Sequence, residues 1–237
     1  MKVVFVVCTS DLLLLKDDQY CAYNIIGWDL KQTLAGKTVT PLRMLLLGEG
    51  GTGKSKVIQM VTEMFTQKAL KFMHMKSTST GIAASIIDGK MTHTIGCFSQ
   101  KTSAVMSDKT KAKLQEFWRY IQYLVIDEVS MISKTFLALL SQNVGIGVAG
   151  SRPDQVNHSF GINMILCGDF HQFPPVAAPA SEALYQPIST HDSTESQLGQ
   201  KIYEEFMTIV CKGTLRLRRS LRLEGGIRRD KPKETPN

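Results

Sequence analysis

Apolar residues recur along this chain in two spacings, and together they predict alternating strands and helices. Arg43–Leu47, RMLLL, is a short apolar run that reads as a buried strand. After it, Val57, Ile58, Val61, Met64 and Phe65 fall on one face of a helix. Residues 72–76 make a candidate second strand, and Leu114, Phe117, Trp118 and Ile121 mark a core-facing helix. Residues 123–126 are a continuous apolar run and 163–167 become one after Asn163, as strands buried on both faces require. Between them Phe136, Leu139, Leu140 and Val144 form an amphipathic helix that ends in the glycine-rich 145–150. A helix over 195–206 and a short strand over 208–211 follow. Upstream, Ala22, Ile25, Ile26, Leu30 and Leu34 share a helical face, with Asp17 and Asp18 as caps. The pattern predicts an α/β fold with a central, mostly parallel sheet flanked by helices.

The polar segments between these elements carry the chemistry. Residues 48–55, GEGGTGKS, have Gly48, four residues, then Gly53, Lys54 and Ser55, between the first strand and its helix. Glycines 48, 50, 51 and 53, with Thr52 among them, let backbone N–H groups turn inward around a polyphosphate. The helix N-terminus adds partial positive charge. Lys54 is placed to reach the β- and γ-phosphates of a nucleoside triphosphate, and the Ser55 hydroxyl to ligate Mg²⁺. YLVIDEVSM, residues 123–131, sets two carboxylates at the C-terminal end of a buried strand, the edge where open α/β sheets bind ligands. There Asp127 would hold Mg²⁺ through water, and Glu128 would orient and deprotonate an attacking water. Gln172, in GDFHQFPPV just past the next strand, is placed to touch a γ-phosphate, whereas His171 alone reads as structural. Gln19 has an amide able to pair with an adenine edge. STSTGIAAS, residues 77–85, opens a helix with hydroxyls and a glycine, either a grip for a sugar–phosphate backbone or an ordinary capped helix.

Composition narrows the classes. The chain has 237 residues, enough for one large α/β domain with its own core. Five cysteines, odd in number and with no CxxC pair, indicate neither a zinc site nor a disulfide framework. No apolar run approaches the length of a membrane span, and the opening MKVVFVVC is too short for a signal peptide, so it reads as a strand or a leader. Residues 212–237 hold nine basic and three acidic side chains, +6 of the net charge of +7. The high pI thus describes this segment. It reads as a disordered basic tail that would hold nucleic-acid phosphates without sequence preference, leaving residues 1–211 as the folded domain.

The ordered set DDQYCAYNII, GEGGTGKS, STGIAASIIDGKMTHTIG, YLVIDEVSM and GDFHQFPPV resembles the Pif-type (petite integration frequency) DNA helicases of superfamily one, in the RecD-like branch. ESQLGQKIYEEF is similar to their fungal and Helitron-associated members. The resemblance covers roughly residues 14–210. It implies a RecA-like phosphate-loop lobe of an ATP-dependent motor that moves 5′ to 3′ on single-stranded DNA, with Mg²⁺ as cofactor. It implies work in DNA repair, recombination and telomere maintenance, alongside replication and repair proteins, with no membrane, in the nucleus or the mitochondrion. By position it assigns Gln19 to adenine, and Gly51, Gly53, Lys54 and Ser55 to phosphates and Mg²⁺. It gives Asp127 to Mg²⁺, Glu128 to water activation and Gln172 to γ-phosphate sensing. Thr80, Gly81 and His93 are placed near the DNA path. The family has a second motor lobe, which this chain is expected to lack as a fragment, and Arg216 is the candidate for the arginine that touches the γ-phosphate. The competing class is a catalytically impaired remnant that binds nucleotide or DNA as a tether. A GTPase would want an NKxD element for guanine, and none is present; a small-molecule kinase is disfavoured, with no acceptor site or lid apparent in the sequence.

Overall fold

The computed structural model of the protein describes residues 15–96, 106–155, 157–175, 178–189 and 192–212. The opening apolar stretch, much of the 99–110 loop, Arg216 and the basic segment from residue 213 lie outside them. Among the described residues six strands form one sheet. They are β1 (Arg43–Leu47), β2 (His74–Thr78), β3 (Lys90–Met91), β4 (Tyr123–Asp127), β5 (Asn163–Gly168) and β6 (Met207–Val210), in the order β3-β2-β4-β5-β1-β6. Every neighbouring pair is parallel. Parallel strands need both faces covered, which is why β1, β4 and β5 are apolar almost throughout.

Alternate side chains of each strand serve the two faces. On one, Met44, Leu46, Val125 and Ile165 meet Ala22, Ile26 and Leu30 of α1 (Asp17–Leu34) and Val57, Val61 and Phe65 of α2 (Lys54–Gln67). On the other, Leu45, Leu124, Ile126 and Leu166 meet α5 (Asp108–Trp118), α6 (Lys134–Ala149) and α7 (Thr194–Glu204) through Leu114, Trp118, Leu137, Leu140 and Ile202. Two short helices, α3 (Gly81–Ile86) and α4 (Thr92–Ile95), flank β3. Among the described residues no helix is long and apolar enough to cross a membrane.

Several boundaries differ from the sequence reading. Asp17 and Asp18 do not cap α1: Lys16 holds the cap position, and the two carboxylates lie in the first turn, where the helix dipole favours them. Leu34 is half-exposed, because the apolar face runs one turn past Leu30, the last α1 residue in the core cluster. β2 starts at His74, since 71–73 make a 3-10 turn, so Ser77 and Thr78 end a strand and do not open a helix. α5 takes in residues 108–110 of the expected loop, capped by Ser107. Ile121 is buried but lies past the end of α5. In α6, Leu137 is buried more deeply than Leu139, and the helix continues through Gly145 and Gly147 to Ala149. Packing outweighs propensity there, because the Trp118 indole lies where a Cβ on residue 147 would stand. α7 begins at Thr194 and ends at Glu204, and β6 begins one residue early.

His74 gives the fold a pH dependence. Its ring stacks on Phe65 at 4.8 Å, and Nε2 meets no hydrogen-bond partner among the described residues. Burial, with Lys76 nearby, lowers the imidazole from its ordinary 6.5 to about 4. Between those values the unfolded chain binds a proton that the folded chain refuses, so stability falls as pH drops. His74→Phe keeps the stack and removes the titration. Urea unfolding at pH 7 and pH 5 should show wild type losing about 2 kcal/mol more than the variant over that interval. Equal losses would mean that His74 protonates freely in the fold.

Candidate nucleotide site

The parallel sheet brings the C-terminal ends of its strands to one edge. β5 lies between β1 and β4, so the turn after β5 stands between the glycine-rich loop after β1 and the acidic pair at the end of β4. Residues distant in the chain are neighbours here for that reason.

The glycine-rich loop is tied down at both ends. The Gly48 N–H donates to the Gly168 carbonyl at 3.2 Å, and the Cys211 N–H to Leu47 at 2.6 Å. Thr52, buried, donates from its hydroxyl to Glu49 at 2.8 Å. Gly50 and Gly51 are exposed at the crest. A side chain on Gly48 would drive into Thr52 and the Cys211 carbonyl. Gly53 has a φ of 86°, and a Cβ there would collide with the Gln19 amide, so only glycine fits. Lys54 curls back over the loop, its ammonium donating to the carbonyls of Gly48 at 2.6 Å and Glu49 at 3.0 Å. Ser55 is exposed on the first turn of α2, a turn that no side chain among the described residues caps.

Gln19 is buried, at 4% exposure. Its Oε1 accepts the Lys16 N–H at 3.0 Å, and its Nε2 donates to the Thr52 carbonyl at 2.8 Å. The start of α1 is thereby fastened to the loop. The amide keeps one further donor and one further acceptor site.

Asp127 is the last residue of β4, and its Oδ1 accepts the Glu128 N–H at 3.0 Å. Glu128 has left-handed backbone, φ 60° and ψ 48°, which turns it out of the strand line. Such a conformation costs about 1–3 kcal/mol and recurs at functional sites. Burial raises the Asp127 carboxyl, with the Glu128 N–H and Lys54 pulling it back. Burial also raises the Glu128 carboxyl, with Asp127 and Asp169 adding to the rise and Lys54 opposing it. Asp169 is a site residue that the sequence reading passed over. It is buried directly after β5, where the logic that singled out Asp127 applies equally. Its carboxylate accepts the His171 N–H at 3.0 Å and lies 3.4 Å from Nε2 of Gln172. Gln172 itself is exposed, with its amide nitrogen 3.8 Å from where a Cβ on Gly50 would sit. The turn therefore leans over the glycine-rich loop.

Lys54, Asp127, Glu128, Gln172 and Gln19 thus gather in one place. Thr80, Gly81 and His93 share the sheet edge but lie at β2 and β3, across β4 from the loop. The exposed His93 ring packs at 4.8 Å on Phe136 of α6. The thiols of Cys167 and Cys211 flank the loop, both pushed up by burial, Cys211 to about 12, so they are neutral core groups.

A parallel sheet with a glycine-rich loop between its first strand and helix, and acidic residues at the end of another strand, defines a phosphate-loop NTPase. Its lobe is RecA-like: the fold aligns with the crystal structure of Pif1 helicase from Candida albicans at a TM-score of 0.53 and 24% identity, over 83% of this chain and 39% of that one. It also aligns with Pif1 helicase from Bacteroides in complex with ADP-AlF3 and ssDNA, at 0.51 and 22%, over 71% and 35%. The PIF1-like helicase family model matches residues 15–233, and the chain belongs to that family. That match runs on into the basic segment. The chain is 31% identical over 170 residues to the ATP-dependent DNA helicase PIF1 of Candida albicans, covering 70% of this chain and 17% of that protein. To RRM3 of Saccharomyces cerevisiae it is 34% identical over 135 residues, covering 55% and 18%. The chain therefore spans about a fifth of the length of these relatives.

Proposed function

We propose that this chain is the ATP-binding motor lobe of an ATP-dependent DNA helicase that moves 5′ to 3′ on single-stranded DNA. The observation that carries the reading is the convergence of Lys54, Asp127, Glu128 and Gln172 on one sheet edge. The relatives named as ATP-dependent DNA helicases, and the Bacteroides structure with ADP-AlF3 and ssDNA, support the same assignment.

Gly48, Gly50, Gly51, Thr52 and Gly53 present backbone N–H groups to the phosphates, and Lys54 exchanges the loop carbonyls for the β- and γ-phosphates. Gln19 receives the adenine edge with the donor and acceptor that it has left. Glu128, its carboxyl raised, takes a proton from the attacking water. Gln172, held by Asp169, touches the γ-phosphate. Ser55 and Asp127 are the groups that fit Mg²⁺. No three His, Cys, Asp or Glu side chains cluster as a metal site among the described residues, so phosphate oxygens and water would complete the shell. Mg²⁺ bound there would neutralise charge on the transferring phosphoryl group. Thr80, Gly81 and His93 line the DNA path. Residues 1–211 make the lobe, and 212–237 a basic tail that grips DNA phosphates.

The test is Lys54→Ala. The lysine is half-buried and among the described residues bonds to loop carbonyls alone, so its loss leaves the core intact. Calorimetry should show MgATP affinity falling about 100-fold or more, with the unfolding temperature nearly unchanged. Equal affinity in the two proteins would refute the phosphate assignment.

A further inference from the structure

A buried lysine opens α6. Lys134 is the first residue of that helix, and its side chain has 0% exposure. A cation there is disfavoured twice: burial removes its hydration, and a helix N-terminus carries partial positive charge. What holds it is a segment from elsewhere in the chain. The ammonium donates to the Pro187 carbonyl at 3.3 Å and pairs with Asp192 at 3.4 Å. Next to it, Thr135 donates from its N–H at 3.0 Å and from its hydroxyl at 2.9 Å, both to Glu182. Ser133 forms an antiparallel bridge with Ala183. Residues 178–189 are therefore strapped across the start of α6.

The strap also touches the nucleotide site. Tyr185 meets the ring of Phe170 edge-on at 5.3 Å, and Tyr203 of α7 meets the same ring at 6.2 Å. Phe170 lies between Asp169 and Gln172 in the turn that leans over the phosphate loop. α7 is fixed to the same point: Gly199, within the ESQLGQKIYEEF segment, approaches the Lys134 backbone so closely that a Cβ would overlap its carbonyl.

We propose that Lys134 is a positioning residue. By anchoring the strap it fixes Phe170, and through Phe170 it holds the turn of residues 169–172 beside the phosphate loop. The geometric part stands on the contacts above. The catalytic part rests on the reading of Gln172 as the γ-phosphate contact.

The experiment compares wild type with Lys134→Met, which keeps the apolar stem and removes the charge. Hydrogen exchange read by mass spectrometry should show residues 168–175 and 178–189 exchanging about tenfold faster in the variant, with the phosphate loop unchanged. ATP turnover should give kcat lowered about tenfold at constant KM. In a Gln172→Ala background the same substitution should cause no further loss of kcat, because the effect passes through Gln172. A loosened strap with residues 168–175 unchanged would overturn the proposal, as would losses that multiply in the double variant. If wild type hydrolyses no ATP, the motor reading fails, while the exchange data still decide whether Lys134 holds the turn. Should Lys134→Met not fold, Glu182→Ala removes the acceptor of both Thr135 bonds with the lysine left in place, and the same exchange is measured.

Discussion

Glu128→Gln should slow ATP turnover by about 10²–10⁴-fold while leaving MgATP affinity unchanged. Burial and the neighbouring carboxylates of Asp127 and Asp169 hold the Glu128 carboxyl above its ordinary range, towards the working pH of a base. An amide of the same shape cannot accept the proton. The substitution leaves the backbone N–H that Asp127 accepts, so the acidic turn keeps its form. In wild type kcat should fall as pH drops through the raised pKa of Glu128, and in the variant that limb should disappear. A coupled phosphate-release assay across pH reads both effects. Normal turnover by Glu128→Gln would exclude it as the base.

The second large effect is an absence of unwinding. Residues 1–237 alone should show slow ATP hydrolysis, weak stimulation by single-stranded DNA and no strand displacement on a 5′-tailed duplex. An arginine finger contributes about 10³–10⁵ in turnover. None of the three arginines among the described residues stands at the nucleotide edge. Arg43 opens β1 and donates to the carbonyls of Leu42, Ile162 and Ser159. Arg152 donates to Trp118 and Ile121. Arg119 lies over Tyr120, ahead of β4. All three sit towards the starts of their neighbouring strands, away from Lys54. On this reading the finger is none of these three, and a second lobe or residues outside those described would supply it. Displacement well above a Lys54→Ala blank would assign the finger to Arg216 or its neighbours.

The sequence made the contiguous parts of this site legible. A strand, a glycine-rich loop and a helix follow each other within residues 43–67, and Asp127 and Glu128 directly end an apolar run, so short-range pattern suffices. What joins them was not legible. Gln172 reaches the loop because β5 pairs between β1 and β4, and strand order is a long-range property. Gln19 and Thr52 bond across 33 positions, so a buried anchor reads as a surface amide. β2 was misplaced because its polar residues carry no clear period, a pattern tolerated beside the two-residue β3. Lys134 was invisible for a similar reason. A charged residue at a helix start reads as solvated until Asp192 and Pro187 are seen around it.

MgATP affinity and ATP turnover, measured side by side on wild type, Lys54→Ala and Glu128→Gln, decide whether this sheet edge is a nucleotide site that hydrolyses ATP. Wild type and Glu128→Gln should bind alike, Lys54→Ala should bind about 100-fold more weakly or worse, and only wild type should turn over. Equal binding by all three, or turnover that survives both substitutions, would contradict the assignment.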